Sequence, residues 1–262
     1  MPAARGPVAD AMADANPFGS FPRYALGVLS PLAGSDTMPY GLYRLLGPDF
    51  IVISTSLELQ SFAPADLERA VAAIDGAVEH LVSRGADLIL QSGTPLALSL
   101  GPEGLQRLLG RLRRRTGLPV LSSALNAVAA AQALRARKLV TANKWNESLN
   151  RELAAFFAHW DIEVMGNAAQ SQEPFHFQSA ELRQGAELAY RLGREALAGA
   201  PAADALFIGG GAWLVEPAAE RLEREFAKPV ITHLNGAARA MLQELGCWRP
   251  FPDGYGRVLE AR

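Results

Sequence analysis

The sequence predicts an α/β protein made of two similar lobes, each a mostly parallel sheet flanked by helices. Short runs rich in Val, Ile and Leu alternate with longer stretches of helical period. That alternation is typical of a parallel sheet covered by helices on both faces. One unit of the pattern also occurs twice in the chain, and 262 residues are enough to bury a core in a two-lobed domain.

Eight short apolar segments are candidate strands, and seven longer segments with helical period are candidate helices. The strands are Tyr24–Ser30, Phe50–Thr55, Asp87–Gln91, Pro119–Ser122, Lys138–Ala142, Ile162–Met165, Ala205–Gly209 and Pro229–Thr232. The helices are Pro64–Arg84, Pro102–Thr116, Asn126–Ala136, Asn146–His159, Ser179–Gly199, Glu216–Phe226 and Gly236–Leu245. Pro64 and Pro102 mark helix starts because a first-turn proline costs no hydrogen bond, and Ser179 is a candidate N-cap.

An internal repeat defines the two lobes. The segment GADLILQSGTPLAL of the first half returns in the second half as AADALFIGGGAWLV, and each copy continues with a helix, Pro-Val, a strand and Asn. The matched pairs are Asp87 with Asp204, Gly93 with a glycine of Gly209–Gly211, Pro119 with Pro229, and Asn126 with Asn235. We therefore predict a flexible arm over residues 1–20 and lobes over residues 21–135 and 136–262, with a helix crossover near the C-terminus left open.

Composition excludes several classes of protein. The 25 basic and 27 acidic residues nearly balance, which argues against a nucleic-acid partner. The single cysteine, Cys247, gives neither a disulfide framework nor a thiolate metal site, and it suits the reducing cytoplasm. No apolar run reaches the roughly 18 residues of a membrane span. We expect a cytoplasmic protein without metal; the sequence leaves a homo-oligomer open.

The two glycine turns are candidate anion sites. A strand that stops at glycine and feeds a helix leaves backbone N–H groups at the positive end of the helix dipole, where a carboxylate or phosphate binds well. One turn is Ser92-Gly93-Thr94 and the other is Gly209-Gly210-Gly211. Two interpretations are open, an anion seat or a tight turn only. Neither turn is a GxGxxG or GK[ST] phosphate loop, so a nucleotide or dinucleotide enzyme is poorly supported.

The sequence resembles the arylmalonate decarboxylase and maleate cis-trans isomerase branch of the aspartate/glutamate racemase superfamily, over about residues 24–260. The resemblance is carried by GADLILQSGTPLAL, LVTANKWNESLNRELAAFF, DALFIGGGAWLVEPAAERLEREFAKPV and the ending PDGYGRVLEAR. It implies two pseudo-symmetric α/β lobes, no cofactor, and chemistry at a carbon next to a carboxylate.

The resemblance also implies site positions, and several of them depart from the family pattern. Gly93-Thr94-Pro95 falls on the first-lobe Cys/Gly-Thr-Ser turn, and Gly210-Gly211-Ala212 falls on the second-lobe Cys-Gly-Gly turn. Trp145 falls on a tyrosine that helps to hold the substrate carboxylate. Both positions that carry a catalytic cysteine in relatives are glycine here, and Pro95 lacks an N–H. The thiol mechanism therefore does not transfer intact.

Other side chains are candidates for the proton-carrying role. Lys144 follows a predicted strand, and a lysine in a dry cleft has a lowered pKa and can act as a base or bind a carboxylate. His233 ends the last predicted strand, and His176 lies in a loop with Glu173 and two aromatics. For each the alternative is structural: an exposed helix-start lysine, a capping histidine, and a packing loop. Ser35 and Asp36 follow the first strand, where the family places residues that contact the substrate.

Two hypotheses about function follow. The first is a cofactor-independent enzyme acting on a small carboxylic acid by decarboxylation, isomerisation or a similar proton transfer, with non-cysteine catalytic groups. The second is a catalytically silent relative that binds a carboxylate as a sensor or accessory protein. An enzyme requires Lys144, His233 or His176 to converge on the glycine turns, whereas a binding protein requires only the turns.

Overall fold

The computed structural model describes residues 21–34, 37–172, 182–248 and 255–260, and these form alternating strands and helices. The N-terminal arm and Ser179 lie outside the described residues. In chain order the elements are β1 (Tyr24–Ser30), α1 (Thr37–Leu46), β2 (Phe50–Ser56), α2 (Pro64–Ser83), β3 (Leu88–Gln91), α3 (Thr94–Thr116), β4 (Val120–Ser122), α4 (Ser123–Ala133), β5 (Lys138–Asn143), α5 (Glu147–Ala158), β6 (Glu163–Ala169), α6 (Leu182–Gly199), β7 (Ala205–Ile208), α7 (Glu216–Phe226), β8 (Val230–Thr232), α8 (His233–Glu244) and a 3-10 turn at Arg257–Leu259.

The strands form two parallel four-stranded sheets with the same topology. The first has the order β2-β1-β3-β4 and the second has the order β6-β5-β7-β8, so each strand has a counterpart four strands later. The prediction of two pseudo-symmetric α/β lobes is confirmed. The lobe boundary at residues 135 and 136 stays a prediction.

Strand register fixes which residues of the two lobes are equivalent. Leu29 of β1 pairs with Gln91 of β3, and Ala142 of β5 pairs with Ile208 of β7. Counting on from these pairs makes Gly93 equivalent to Gly210. The backbone agrees, because both residues have a positive φ, 95° at Gly93 and 98° at Gly210. The sequence repeat therefore places the same glycine turn at the same strand end of each sheet.

The two C-terminal helices of the repeats cross between the lobes. Helix α8 follows the second sheet, yet its Leu234 and Met241 share a core with Leu26 and Leu88 of the first sheet. Helices α4 and α8 also touch directly, since a Cβ on Gly236 would lie 3.5 Å from the main-chain oxygen of Asn126. The interface between the lobes is thus built from packed helices rather than from a flexible linker.

The sequence match of Asn126 with Asn235 is wrong by one position. Val120 of β4 and Val230 of β8 are equivalent in register. Counting on from them makes Leu125, not Asn126, the counterpart of Asn235 in the other lobe. Asn235 completes a capping box with Thr232 and also donates to the carbonyls of Val230 (2.9 Å) and Tyr255 (3.1 Å). The Nδ2 of Asn126 is buried with no hydrogen-bond partner among the described residues. The two asparagines therefore have different roles.

Several helices begin earlier than the sequence pattern predicts. Helices α4 and α8 begin directly after their strands, so the last strand residues, Ser122 and Thr232, occupy the N-cap positions. Of the two, the Thr232 side chain makes the capping hydrogen bond, whereas the Ser122 hydroxyl donates to Gln91. Helix α3 begins at Thr94 and is interrupted at Gly101 (φ 65°), after which Pro102 starts the second segment. Helix α1 was not predicted; Gly41 within it packs against the side chain of Leu234. Within the described ranges, no helix is both long enough and apolar enough to cross a bilayer.

We expect Asn235→Ala to lower the free energy of unfolding by about 2–4 kcal/mol, because it removes a buried cap and leaves several main-chain groups unpaired. Asn126→Ala is the matched control, and it should change this free energy by less than about 1 kcal/mol since it removes an unpaired donor. Urea denaturation at neutral pH measures both. Equal losses for the two variants would contradict the different roles of the two residues.

Candidate functional site

A cavity of about 250 Å³ lies where the carboxyl ends of β1, β3, β5 and β7 meet. In parallel α/β sheets, ligands bind beyond these strand ends. The described lining residues are Ser30, Pro31, Leu32, Gly34, Thr37, Met38, Leu59, Phe62, Ser92, Gly93, Thr94, Pro95, Leu96, Lys144, Trp145, Gly209, Gly210, Gly211 and Ala212. Both sequence-predicted glycine turns therefore line a single cavity, together with Lys144 and Trp145.

A buried glutamine holds the turn of the first lobe. The Nε2 of Gln91 donates to the main-chain oxygens of Ser92 (2.6 Å) and Gly93 (3.2 Å). Its Oε1 accepts from the Ser122 hydroxyl at 2.7 Å, which fixes the orientation of the amide. Gln91 was not among the sequence-predicted site residues. The signal that could have identified it is a polar residue at the end of strand β3, which is fully buried.

A buried tryptophan holds the turn of the second lobe in the same way. The Nε1 of Trp213 donates to the main-chain oxygens of Gly209 (3.2 Å) and Gly210 (3.0 Å). These are the register equivalents of the two oxygens that Gln91 binds. Trp213 is buried and is not among the described residues that line the cavity, so it holds the turn from the protein interior.

The amides of the two turns are placed to bind an anion. Among the described residues, no backbone acceptor is bonded to the amides of Gly93, Thr94, Gly210 or Gly211. Thr94 is the first residue of α3, where amides lack helical partners and the helix dipole is positive. Pro95 supplies no donor. The two turns therefore provide main-chain donors from both lobes.

Trp145 fixes the glycine at the start of the second turn. The residue is buried, and a Cβ on Gly209 would lie 2.6 Å from Cη2 of its ring. Its main-chain N–H donates to Oδ1 of Asn143 at 2.9 Å, and Nδ2 of Asn143 donates to Asn150 at 2.6 Å. The indole thus packs directly on the turn, and no side chain fits at Gly209 without moving it.

Lys144 supplies the one ionisable side chain among the described residues that line the cavity. Its ammonium donates to the Ala212 carbonyl at 3.4 Å and lies 4.9 Å from the centre of the Trp213 ring. Burial lowers the pKa of Lys144 to about 8, because desolvation penalises the charged form. The amine therefore carries its charge at pH 7 but has a substantial neutral fraction.

His233 lies behind the second turn rather than in the cavity. We expected it to face the cleft, but it is buried as the first residue of α8 and its ring contacts Gly211. Its Nδ1 has no hydrogen-bond partner among the described residues. Burial first, and the charge of Lys144 second, lower the pKa of His233 to about 4. The imidazole is neutral at pH 7 and is not among the described residues that line the cavity.

Three predicted site residues, Ser35, Asp36 and His176, lie outside the described residues. Cys247 follows α8, packs against the first-lobe core and is not among the cavity residues. His80 lies in α2 and His159 ends α5, away from the site. Within the described ranges, no cluster of His, Cys, Asp and Glu could hold a metal ion.

Part of the cavity wall is apolar. Leu32, Met38, Leu59 and Phe62 belong to the lining, and none of them was a sequence-predicted site residue. Thr37 joins the two lobes at the cavity, because its hydroxyl donates to the carbonyl oxygen of Gly211. These residues come from segments that were not assigned to a helix or strand, so no periodic pattern identified them. The cavity lining thus combines main-chain donors and one cationic side chain with apolar side chains.

Two pseudo-symmetric parallel sheets with a cavity at their facing strand ends define a class of two-lobed α/β proteins. The arylmalonate decarboxylase family model matches residues 26–259. This chain therefore belongs to the arylmalonate decarboxylase family. It is 24% identical to arylmalonate decarboxylase of Bordetella bronchiseptica over 233 residues, which cover 89% of this chain and 95% of that protein.

Solved structures show the same fold. Unliganded arylmalonate decarboxylase superposes with a TM-score of 0.80 at 23% identity, covering 91% of this chain and 100% of that one. A cysteine-to-serine mutant of Nocardia farcinica maleate cis-trans isomerase with a covalently bound succinylcysteine intermediate gives 0.78 at 23% identity, covering 90% and 98%.

Neither turn of this chain accepts a cysteine without strain. A Cβ on Gly93 would lie 2.7 Å from Cγ of Pro31, and its φ of 95° disfavours any side chain. Gly210 has space, but its φ of 98° imposes a strain of about 1–2 kcal/mol on an L-residue. Glycine at positions 93 and 210 is thus favoured by the local backbone, and at position 93 also by the packing of Pro31.

We expect Gly209→Ala to lower the free energy of unfolding by about 1–3 kcal/mol, because the methyl group would force the buried Trp145 ring to move. Gly211→Ala is the matched control, since its Cβ would meet His233 at an ordinary 3.4 Å. Thermal and urea denaturation test the difference. If Gly209→Ala proves as stable as Gly211→Ala, Trp145 does not constrain the turn.

Proposed function

We propose that this protein is an enzyme that needs no cofactor and acts on the carbon next to a carboxylate of a small organic acid, by decarboxylation, isomerisation or a related proton transfer. One observation carries the proposal: equivalent glycine turns of both lobes face one cavity that also contains the Lys144 amine. Membership of the arylmalonate decarboxylase family supports it. The non-cysteine catalytic groups are our inference from the cavity lining.

Carboxylate binding is assigned to the two turns. The amides of Thr94, Gly210 and Gly211 would donate to the carboxylate oxygens, and the Lys144 ammonium would compensate the charge. The same donors would stabilise the negative charge that develops on a carboxylate when the adjacent carbon loses a proton or a carboxyl group. Main-chain donors suit this role because Gln91 and Trp213 hold them in place before substrate arrives.

Proton transfer is assigned to Lys144. A group whose pKa lies near the working pH is an efficient proton carrier, and burial brings the lysine close to that condition. The neutral His233 behind the turn adds no second positive charge next to Lys144. His176 stays a candidate from the sequence for a second proton carrier.

A silent carboxylate-binding protein is the second candidate. It is favoured by the fact that no thiol, imidazole or carboxylate belongs to the described lining residues. Such a protein would bind carboxylates at the same turns without turnover. The two candidates differ in one measurement, the exchange or loss of substituents at the carbon next to the carboxylate.

Carboxylate affinity should depend on the charge of Lys144. Below the free-protein pKa of about 8 the ammonium is present and binding is strong. As the pH rises above 8, affinity should fall by up to about tenfold per pH unit until the pKa of the complex, raised by the bound anion, is reached. Calorimetric titration with phenylacetate at pH 6.5, 8 and 9.5 measures this dependence.

Variants of two lysines distinguish the effect of the Lys144 charge on carboxylate affinity from the effect of the overall charge of the protein. The chain has three lysines, and Lys138 at the start of β5 is exposed and far along the strand from the cavity. Lys144→Met should remove the pH dependence, whereas Lys138→Met should keep it. A wild-type affinity that stays constant from pH 6.5 to 9.5 would contradict binding by the Lys144 ammonium.

Turnover should be independent of thiols. We expect phenylmalonate decarboxylation, or deuterium exchange of phenylacetate in heavy water, to survive iodoacetamide because Cys247 is not a cavity residue. Lys144→Ala should reduce the rate by about 100-fold or more, the usual contribution of a positioned acid or base, whereas His80→Ala should leave it unchanged. Proton NMR follows both reactions. Loss of activity on alkylation would place the chemistry at Cys247; binding without either reaction would favour the silent protein.

A further inference from the structure

The Lys144 amine lies next to the turn of the second lobe, Gly209–Gly211, to which carboxylate binding is assigned. Lys144 follows β5, and the turn follows the neighbouring strand β7. The amine contacts the Ala212 carbonyl at 3.4 Å, directly after the amides of Gly210 and Gly211. A carboxylate bound to those amides would therefore have the carbon atoms next to it close to the lysine nitrogen.

The same amine is the strongest nucleophile among the described lining residues, since they include no cysteine or histidine. A nucleophilic amine must be unprotonated, and a pKa of about 8 leaves about a tenth of the molecules neutral at pH 7. Desolvated lysines of this kind form imines with carbonyl compounds. The cavity thus supports covalent chemistry as well as proton transfer.

We propose that Lys144 forms an imine with the ketone of a small 3-oxo acid and that the site then removes the carboxyl group of this acid. The inference rests on the proposed function, because it uses the same carboxylate seat. It adds a substrate class and a nucleophilic role for the lysine. A 3-oxo acid fits the arrangement because its ketone carbon is separated from the carboxyl carbon by a single methylene carbon.

The steps balance without an added reagent. The neutral amine attacks the ketone carbon and, with one proton, water leaves to give a protonated imine. The bond to the carboxyl carbon then breaks, carbon dioxide leaves, and its electron pair forms an enamine with the protonated imine as acceptor. A proton adds to the carbon that lost the carboxyl group, and water hydrolyses the imine. The net reaction converts the carboxylate anion of the 3-oxo acid and one proton into a ketone and carbon dioxide.

The surroundings of the Lys144 nitrogen suit the positively charged imine as well as the amine in this series of steps. The Trp213 ring, 4.9 Å from the nitrogen, stabilises a positive charge there, and an iminium occupies the same place as the ammonium. The apolar lining residues Leu59 and Phe62 suit the alkyl or aryl group of the ketone.

Reductive trapping tests the proposal. The intact protein is incubated with acetoacetate and sodium cyanoborohydride at pH 7.5 and digested with trypsin. An adduct at Lys144 blocks cleavage after this residue, so the peptide spanning 139–151 replaces the separate peptides 139–144 and 145–151. We expect labelling at Lys144 to exceed that at Lys138 by at least tenfold, to saturate with acetoacetate and to accompany release of acetone.

Two variants keep the test decisive. Lys144→Arg retains the positive charge but cannot form an imine, so it should keep the increase in melting temperature caused by phenylacetate while losing the adduct and acetone release. Lys138→Arg should keep the Lys144 adduct. Equal labelling of Lys138 and Lys144, or no adduct in a protein that phenylacetate stabilises, would overturn the imine while leaving the proposed function. Failure of every carboxylate to stabilise the wild type would overturn the proposed function itself.

Discussion

The site depends on the bonding of main-chain oxygens in the two glycine turns. A strand end that feeds a helix has unpaired carbonyls as well as unpaired amides, and both must be satisfied or solvated. Gln91 in one lobe and Trp213 in the other bind the two equivalent oxygens from the buried side. A glutamine amide in one lobe and a tryptophan indole in the other thus satisfy equivalent main-chain oxygens. With the oxygens held in the interior, the neighbouring amides remain available to a ligand.

Burial of Lys144 in this setting is costly for the free protein. A charged amine loses hydration inside the fold, and the lowered pKa expresses that loss. The nearby carbonyl of Ala212 and the face of Trp213 replace part of the hydration. Functional sites commonly retain such locally unfavourable groups because a substrate of opposite charge compensates them. Burial, and to a smaller extent the charge of Lys144, keeps His233 neutral, so the imidazole adds no positive charge at the second turn.

The sequence predicted the sheets well because buried parallel strands are continuous apolar runs. The repeat also located both glycine turns, since the turn residues are tied to the strand ends. Helix α1 was missed, and so were the early starts of α4 and α8, since the residues at the N-cap positions of α4 and α8 belong to the preceding strands and no separate loop signal precedes these two helices.

The site was predicted less completely than the fold. Lys144 was predicted as a site residue because it follows a predicted strand, and Trp145 because it falls on a site position of the family that the sequence resembles. Placing His233 requires knowing the direction of its side chain, and the close packing of Trp145 on Gly209 is a contact 64 positions apart along the chain, which local patterns do not encode.

The packing around the glycines has an evolutionary consequence. A thiol at Gly93 would displace Pro31, and one at Gly210 would occupy a backbone conformation that suits glycine. A sequence like this one therefore does not pass to a cysteine-bearing site by one substitution without losing stability, and it would need an accompanying change in the neighbouring segment. The thiol-free turns of this chain are therefore tied to its local packing. Leu59, Phe62 and Met38 line the cavity outside the turns and have no positive φ, so substitutions there meet no such backbone constraint.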